Sequence, residues 1–227
     1  MKIAGMGSPS PGRRAPLTRE QVVAAAVELA DAGGIDSISM RRLAQDLGVE
    51  AMSLYTHVRS KEDLLDAMAD AVISMIPVVS GSGPADWSGS LRRLAAGARA
   101  VMLAHPWAPR IIETRAVPGP AGLAYVNAVL RILREGGFSV AQAHHILHIL
   151  GSLVLGFSQG VFDDSPAAGP QPAGLPAEFS AAFPYAAEMA LAVSHDGALG
   201  PCDDQGEFEF ALDFMLDGLG RLRGKPA

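Results

Sequence analysis

The sequence has only one cysteine, Cys202, in 227 residues. A lone cysteine cannot form a disulfide within the chain, and its scarcity is typical of proteins held in a reducing compartment. Long hydrophobic runs are also missing, because the most apolar stretch, 146–157, contains His148 and is too short to span a bilayer. Residues 1–16 lack the apolar centre of a signal peptide and indicate a flexible arm. We therefore expect a cytoplasmic protein with no membrane partner.

Positive charge is scarce overall, and the net charge of −6 argues at first against a nucleic-acid partner. The charge is unevenly spread, however. Residues 1–61 hold eight Lys and Arg against six Asp and Glu, whereas residues 62–227 hold ten against eighteen. A mildly basic N-terminal part followed by an acidic remainder fits a protein that meets a phosphate backbone with its N-terminal part.

Alternation of apolar and polar residues, the pattern of a half-buried strand, does not occur over any convincing length. Helical spacing interrupted by Gly and Pro dominates instead. From residue 75 onward we expect helices over 86–104, 118–135, 140–162, about 177–194 and 206–222. An irregular segment should follow Pro106, and the Pro- and Gly-rich stretch 163–176 should form a mobile loop. The sequence therefore predicts an all-α protein.

Residues 38–61 carry the most informative pattern. A first helix has its N-cap at Ser39 and ends at Gly48, which supplies the left-handed conformation that closes a helix. Its apolar stripe recurs at helical spacing: Leu43, Ala44 and Leu47. The next helix, about 51–57, is short, and it has few apolar residues to bury: Leu54 and Val58. A short helix of this kind is typical of the recognition helix of a helix-turn-helix motif.

Helices on both sides of this motif complete a small domain. Capping boxes, in which two side chains bond each other's backbone amides, are expected at two helix starts: Thr18 with Gln21, and Ser60 with Asp63. The first of these helices should end at Gly33-Gly34. Three helices around one small core, with a fourth leading away, make a DNA-binding head.

The motif resembles the tetracycline-repressor (TetR) family of transcriptional regulators, and within it the branch of the tetracycline repressor itself. The residues that carry the resemblance are Gly48-Val49-Glu50, Leu54-Tyr55-Thr56-His57-Val58, Lys61 and Leu64-Leu65-Asp66-Ala67. Residues 87–105 and 137–156 also resemble the ligand-binding domain of that branch. The resemblance implies a helix-turn-helix head over 17–62 and a helical ligand-binding and dimerisation domain over 63–227.

The resemblance also implies contacts to operator DNA. It places Arg41 at a base-reading position, where a bidentate contact to guanine is expected. It places Tyr55, His57 and Lys61 on the phosphate backbone, although each residue can instead be an ordinary solvated side chain. The full set expected to face DNA is Ser39, Arg41, Ala51, Met52, Ser53, Tyr55, Thr56, His57 and Lys61.

The residues at the groove-facing positions depart from those of the tetracycline repressor. Ala51 and Met52 can contact only apolar features of a base, such as a thymine methyl group. We therefore expect this chain to prefer a different operator.

Two helices, 140–162 and 206–222, are rich in apolar residues on nearly every side. A helix that is apolar all round must be covered all round, and a second subunit is the simplest cover. The resemblance implies the same arrangement, a four-helix bundle with two helices from each protomer. We expect a homodimer whose two heads bind a palindromic operator.

Three histidines, His144, His145 and His148, interrupt the long apolar helix. His144 and His148 lie one turn apart and have the spacing to share a zinc ion. No third ligand stands out, so we expect polar features of a pocket wall or of the dimer seam, with no metal and no cofactor. The sequence has no arrangement typical of a nucleophilic triad, a phosphate loop or a carboxylate pair. We expect no enzyme, and a metal-dependent enzyme using these histidines is the weaker alternative.

Matching this sequence to the drug-binding positions of the tetracycline repressor indicates whether the chain could bind the same ligand. The positions of its drug- and magnesium-binding residues are held here by Leu94, Ala98, Ile112, Val129 and Gly160. Only the pair Thr114-Arg115 is kept, and every other change removes polarity or bulk. The resemblance thus implies an enlarged apolar cavity for a hydrophobic or aromatic molecule that binds without Mg²⁺.

The expected pocket has three polar members among mostly apolar residues. Its members are Leu94, Ala98, Met102, Ile112, Arg115, Val129, His144, Leu147, His148 and Gly151. A small-molecule effector bound there would move the connecting helix 61–75 and change the spacing of the two heads. The sequence predicts a repressor released from its operator by a ligand, and a regulator that needs no ligand is the alternative.

Overall fold

Helices make up all the regular structure in the computed structural model over the residues it describes, which are 16–78, 83–115, 117–158, 177–193 and 204–224. Eleven α-helices lie in these ranges: α1 (Arg19–Gly33), α2 (Met40–Leu47), α3 (Ala51–Leu54), α4 (Lys61–Ser74), α5 (Trp87–Ala104), α6 (Ala108–Thr114), α7 (Pro120–Glu135), α8 (Val140–Gly156), α9 (Ala177–Ala182), α10 (Pro184–Val193) and α11 (Asp204–Leu222). The predicted all-α class is confirmed. The predicted loop 163–176, and the predicted N-terminal arm except Pro16, lie outside the described residues.

The chain divides into two compact units, Met1–Met68 and Ala69–Ala227. Helices α1, α2, α3 and the first half of α4 belong to the first unit. Its core consists of side chains with no exposed surface: Val22, Ala26, Leu43, Leu54, Val58, Leu64 and Met68. Val22 and Ala26 in α1, and Leu64 and Met68 in α4, are each one helical turn apart, and hydrophobic burial of these side chains holds the small domain together.

Helices α1 and α2 in the first unit begin and end where the sequence predicts. Thr18 and Gln21 make a complete capping box at the start of α1. The Ser39 hydroxyl accepts the Arg42 backbone N–H at 3.2 Å at the start of α2. Gly48 ends α2 with φ 66° and ψ 38°, the left-handed conformation that costs energy for a residue with a side chain.

The second unit is built on α5, α7 and α8, which pack pairwise, with α11 against α8. At one corner, the ring of Trp87 meets that of Phe138 edge-on, with centroids 4.9 Å apart. Gly136 allows this approach, because a Cβ atom there would lie 2.8 Å from the Cβ of Trp87. Ser139 and Gln142 form the predicted start of α8 as a complete capping box. No helix among the described residues is long and apolar enough to cross a membrane.

Two helices are shorter than the sequence suggested. Helix α3 ends at Leu54 rather than near His57, and the chain continues in tight turns in which the Thr56 and His57 amides bond to carbonyls three residues back. Helix α8 ends at Gly156, whereas we expected it to reach about residue 162, and residues 159–162 lie outside the described part.

Two further differences arise at prolines. Helix α6 lies where we expected an irregular segment after Pro106, because Pro109 stands in the first turn of a helix, where a missing N–H costs nothing. The single helix expected near 177–194 is two helices, α9 and α10. The break falls at Phe183, because the residue before a proline, here Pro184, is pushed out of the helical conformation.

An arginine links three segments of the first unit. From α1, the Arg19 guanidinium donates to both carboxylate oxygens of Asp63, at 2.6 and 3.1 Å, and to the His57 backbone carbonyl at 2.6 Å. The Asp63 carboxylate also accepts the Arg59 backbone N–H at 2.8 Å. The predicted capping box at Ser60 is therefore half formed: the Ser60 hydroxyl accepts the Asp63 N–H at 3.1 Å, while the Asp63 carboxylate bonds elsewhere.

These bonds change the acidity of Asp63. The hydrogen bond from Arg19, followed by that from the Arg59 amide, lowers the pKa of the Asp63 carboxyl from 3.8 to about 2. The same pairing raises the pKa of Arg19. The side chains keep 42% and 27% of their surface exposed, so solvent screens the pair and its net contribution to stability is modest.

We predict that this pair contributes stability in a defined pH range. The folded pKa is below the unfolded one, so the contribution is complete above about pH 4 and disappears as the pH falls towards 2. Replacing Asp63 by Asn should lower the free energy of unfolding by about 1 kcal/mol at pH 7 and by nearly nothing at pH 2. Denaturant unfolding across this range measures it, with Asp46→Asn on the exposed surface of α2 as control. A difference that does not depend on pH would contradict the assignment.

Candidate nucleic-acid interface and ligand site

Two apolar residues, one within the recognition segment 51–57 and one directly after it, anchor this segment in the core of the first unit. Leu54 and Val58 have no exposed surface, as the sequence predicted. On the other side, Met52 is 74% exposed and Tyr55 is 45% exposed. Among the described residues, nothing packs over Met52 to cover it, so this face is open to a partner.

The polar side chains of this segment are partly used by its own backbone. The Ser53 hydroxyl donates to the Glu50 carbonyl at 2.6 Å, and the Thr56 hydroxyl donates to the Ser53 carbonyl at 2.6 Å. A hydroxyl that donates its hydrogen to one hydrogen bond can still accept another through the lone pairs of its oxygen. Both side chains thus offer acceptors, rather than donors, to a partner on this face.

The structure places the predicted DNA-facing residues on one compact unit. Ser39, Arg41, Met52, Tyr55, Thr56 and Lys61 are exposed, and Ala51, Ser53 and His57 are half-buried. His57 is the member held most firmly, because Arg19 binds its carbonyl. Ser39 has a structural role in addition, since its hydroxyl caps α2.

The predicted pocket residues on α5 and α7 lie in the interior of the second unit. Leu94, Ala98, Met102 and Val129 have at most 2% of their surface exposed. The other apolar candidates, Ile112, Leu147 and Gly151, are half-buried, as is Arg115. Leu94, Ala98 and Met102 lie on α5 and Val129 lies on α7, and these two helices pack against each other and against α8.

The histidines lie elsewhere. His144, His145 and His148 are all exposed on α8, with ring centroids 4.7 Å apart for His144 and His148 and 5.6 Å apart for His144 and His145. The prediction that His144 and His148 line an interior pocket is therefore not met within one chain. Buried Ala143, Ile146 and Leu150 take the inward face of α8, which leaves the histidines on the opposite side. Among the described residues, no group of three or more His, Cys, Asp or Glu could hold a metal ion.

Tyr125 on α7 is a candidate that the sequence analysis missed. It lies on the inward stripe of the helix, three residues after buried Gly122 and four before buried Val129. Burial raises the pKa of its phenol to about 12, so the hydroxyl keeps its proton at any physiological pH. Within the described part of the chain, no hydrogen bond involves this hydroxyl. Its spacing to Val129 was the signal that could have found it.

Arg99 is a second residue that the sequence analysis missed, and it is 95% buried. Its guanidinium donates to the Phe157 carbonyl at 3.2 Å, to the Asp204 carbonyl at 3.1 Å and to the Gln205 side-chain oxygen, and it lies 4.8 Å from the centre of the Phe208 ring. These partners are the end of α8 and the start of α11. Arg99 therefore joins the two helices from α5 and compensates its own buried charge.

Large apolar side chains remain exposed on α8 and α11. They are Val140 (70%), Ile149 (51%), Phe210 (70%), Phe214 (72%) and Leu222 (47%). The buried residues of α11 alternate with them at helical spacing: Phe208, Leu212, Leu216 and Leu219. Helix α11 thus has one apolar face within the protomer and a second that the described residues leave exposed.

Comparisons with known proteins agree with this geometry. Residues 22–68 match the family model described as bacterial regulatory proteins, tetR family, and residues 81–223 match the one described as tetracyclin repressor-like, C-terminal domain. An HTH-type transcriptional regulator of Saccharopolyspora erythraea is 41% identical over 126 residues, 56% of this chain. The match spans only about half of that relative, 53% of its length.

Two other matches extend over nearly the whole chain. The HTH-type transcriptional repressor DrrR1 of Streptomyces coeruleorubidus is 32% identical over 220 residues, which cover 93% of this chain and 80% of the relative. The crystal structure of the TetR family protein ActR of Streptomyces coelicolor in complex with actinorhodin has a TM-score of 0.76 at 29% identity, and covers 93% of this chain and 100% of that one. The relatives are named as regulators, and both domains match. The chain belongs to the TetR family of transcriptional regulators.

Proposed function

We propose that this chain is a homodimeric repressor that leaves a palindromic operator when a mainly apolar small molecule binds it. The observation that carries the proposal is the recognition segment 51–57, whose exposed face is held over two fully buried anchors. In this proposal, residues 17–62 bind DNA, and residues 63–227 bind the ligand and form the dimer. The chain would act by binding alone and would not be an enzyme.

The DNA contacts divide into two groups. Arg41 would recognise a guanine, and Ala51 and Met52 would contact thymine methyl groups. Tyr55, Lys61 and the His57 segment would bind phosphates, which position the protein without selecting a sequence. Since the hydroxyls of the recognition segment donate to their own backbone, they would accept from base amino groups.

The dimer would form through the uncovered faces of α8 and α11. An isologous contact across a twofold axis would bring Phe210 and Phe214 of both copies out of water, together with Ile149. The three histidines share the exposed side of α8, which fits the alternative location that the sequence left open, the dimer seam. Family members act as dimers, and this supports the same assembly here.

The ligand would occupy the layer between α5, α7 and α8. Its lining is apolar, with Leu94 and Val129 at positions where the tetracycline repressor has polar groups and the smaller Ala98 at the position of a phenylalanine. The Tyr125 hydroxyl would be the polar contact within one protomer, in place of the exposed histidines. A neutral, planar aromatic molecule with a carbonyl or hydroxyl acceptor fits these groups, and ActR, with a similar fold, is titled as a complex with actinorhodin.

The first prediction separates the two groups of DNA contacts. Operator fragments are selected from genomic DNA by binding, and affinities are measured by fluorescence anisotropy. Tyr55→Phe and Lys61→Ala should weaken binding to all duplexes by a similar factor, whereas Arg41→Ala should also relax the preference at one base-pair position. Glu28→Ala, on the exposed side of α1, is the control. Equal loss of preference in all three variants would refute the assignment.

The second prediction concerns the dimer. Phe214→Asp, on the exposed face of α11, should give a folded monomer, because the new charge would prevent burial between subunits. Leu216→Asp, two residues away and 5% exposed, should instead unfold the protomer. Sedimentation and circular dichroism distinguish these outcomes. A Phe214→Asp variant that stays dimeric would show that this face lies outside the interface.

The third prediction concerns the ligand. Actinorhodin is titrated against the protein–operator complex, and other planar aromatic compounds are screened by thermal shift. Tyr125→Phe removes one hydroxyl and should weaken binding of an active compound by roughly 5- to 10-fold, the effect of one hydrogen bond. Tyr185→Phe makes the same change at a site that is 84% exposed and should have no effect. Binding should not need added Mg²⁺, and equal behaviour of the two variants would remove Tyr125 from the site.

A further inference from the structure

Asp70, near the end of α4, caps a helix that is distant in sequence. One oxygen of its carboxylate, Oδ1, accepts the backbone N–H of Ala121 at 2.8 Å and that of Gly122 at 3.1 Å. These are the first amides of α7 that need an outside acceptor. Pro120 before them has no N–H, and Leu123 after them already bonds to the Gly119 carbonyl at 2.9 Å. A single carboxylate therefore satisfies the whole first turn of α7.

The residue next to this contact, at the start of α7, leaves space for the Asp70 carboxylate because it has no side chain. Gly119 occupies the N-cap position, where Ser, Thr, Asp or Asn would usually supply a cap from its own side chain. A Cβ atom on Gly119 would lie 2.4 Å from Asp70 Oδ1, well inside contact distance. Gly119 therefore has no side chain that could cap α7, and the absence of a Cβ atom lets the Asp70 carboxylate of α4 reach this position.

The capping residue belongs to the helix that leaves the DNA-binding unit. Helix α4 begins at Lys61, a proposed phosphate contact, and Arg19 binds its first turn through Asp63. Its last turns lie in the second unit, where Asp70 joins them to α7. Helix α7 in turn carries Tyr125 and Val129, which belong to the proposed ligand site.

We propose that Asp70 is a positioning residue that fixes the end of α4 on the N-terminus of α7 and thereby supports operator binding, since the first turns of α4 belong to the DNA-binding head. The inference rests on the DNA-binding function proposed above. The bonds are charge-assisted and lie at the positive end of a helix dipole, so they are strong enough to fix α4. Without them, α4 samples more orientations, and the apparent operator affinity falls with the fraction of molecules that hold the correct one.

Two variants break the contact from opposite sides. Asp70→Ala removes the acceptor, and Gly119→Ala displaces it by steric conflict. Asp70→Asn keeps an acceptor oxygen and should retain most of the wild-type behaviour. In the full-length protein without ligand, hydrogen exchange of the Ala121 and Gly122 amides should accelerate at least tenfold in Asp70→Ala and Gly119→Ala. Unchanged exchange in both would show that the cap does not hold α7.

Operator affinity then tests the positioning role. The affinity of the selected operator fragment should fall about 5- to 10-fold in Asp70→Ala and Gly119→Ala, and less than twofold in Asp70→Asn. Gly136→Ala is the matched control for destabilisation. Its Cβ would lie 2.8 Å from the Cβ of Trp87, so it should lower the melting temperature without touching α4 or changing operator affinity.

The outcomes separate this inference from the function on which it rests. If Asp70→Ala and Gly119→Ala lose protection of the amides but bind the operator as the wild type does, Asp70 is only a helix cap and the positioning role is wrong. If Gly136→Ala loses operator affinity equally, the effect is general instability and the role is likewise refuted. If the wild type binds no genomic fragment, the DNA-binding proposal and the positioning role both fail, while the exchange data still report on the cap.

Discussion

Each helix begins with backbone N–H groups that its own hydrogen bonds cannot satisfy, and much of this structure follows from how these groups find acceptors. Some helix starts use a neighbouring side chain, as at Thr18, Ser39 and Ser139, and these can form wherever the local sequence allows. Helix α7 has no such residue and takes Asp70 from α4 instead. A cap from a neighbouring residue stabilises one helix. A cap from a residue on another helix also fixes the position of the two helices against each other.

The same distinction explains what could be predicted from the sequence. The helix-turn-helix depends on signals a few residues apart, so its caps, its Gly48 turn and its buried Leu54 and Val58 were all predicted and confirmed. Contacts between residues far apart in the chain leave no such signal. Neither the partners of Arg99 nor those of Asp70 could be inferred, because each is defined by the packing of helices rather than by spacing.

The candidate ligand site shows a second feature that is hard to predict from sequence, namely which face of a largely apolar helix turns inward. Leu94 and Val129 lie on helices with a clear apolar stripe, so their burial follows from the pattern. Helix α8 is apolar on most sides, and its pattern does not tell which face turns inward. The histidines were therefore assigned either to a pocket wall or to the dimer seam, and packing against α5 and α7 buries Ile146 and Leu150 while the histidines stay exposed on the protomer.

The energy needed for regulation is small enough for one such contact to matter. Coupling between a ligand and a second site typically amounts to about 1–3 kcal/mol, and a hydrogen bond to a charged group contributes about 1.5–3 kcal/mol. The two amide bonds of Asp70 are thus on the scale of the whole effect. They also join α7, which carries the proposed ligand contacts Tyr125 and Val129, to α4, which begins at Lys61. In the proposed function, a ligand that shifted the first turn of α7 would have to break these bonds or move Asp70 with them, and by reciprocity an operator that held α4 in place would oppose the same shift.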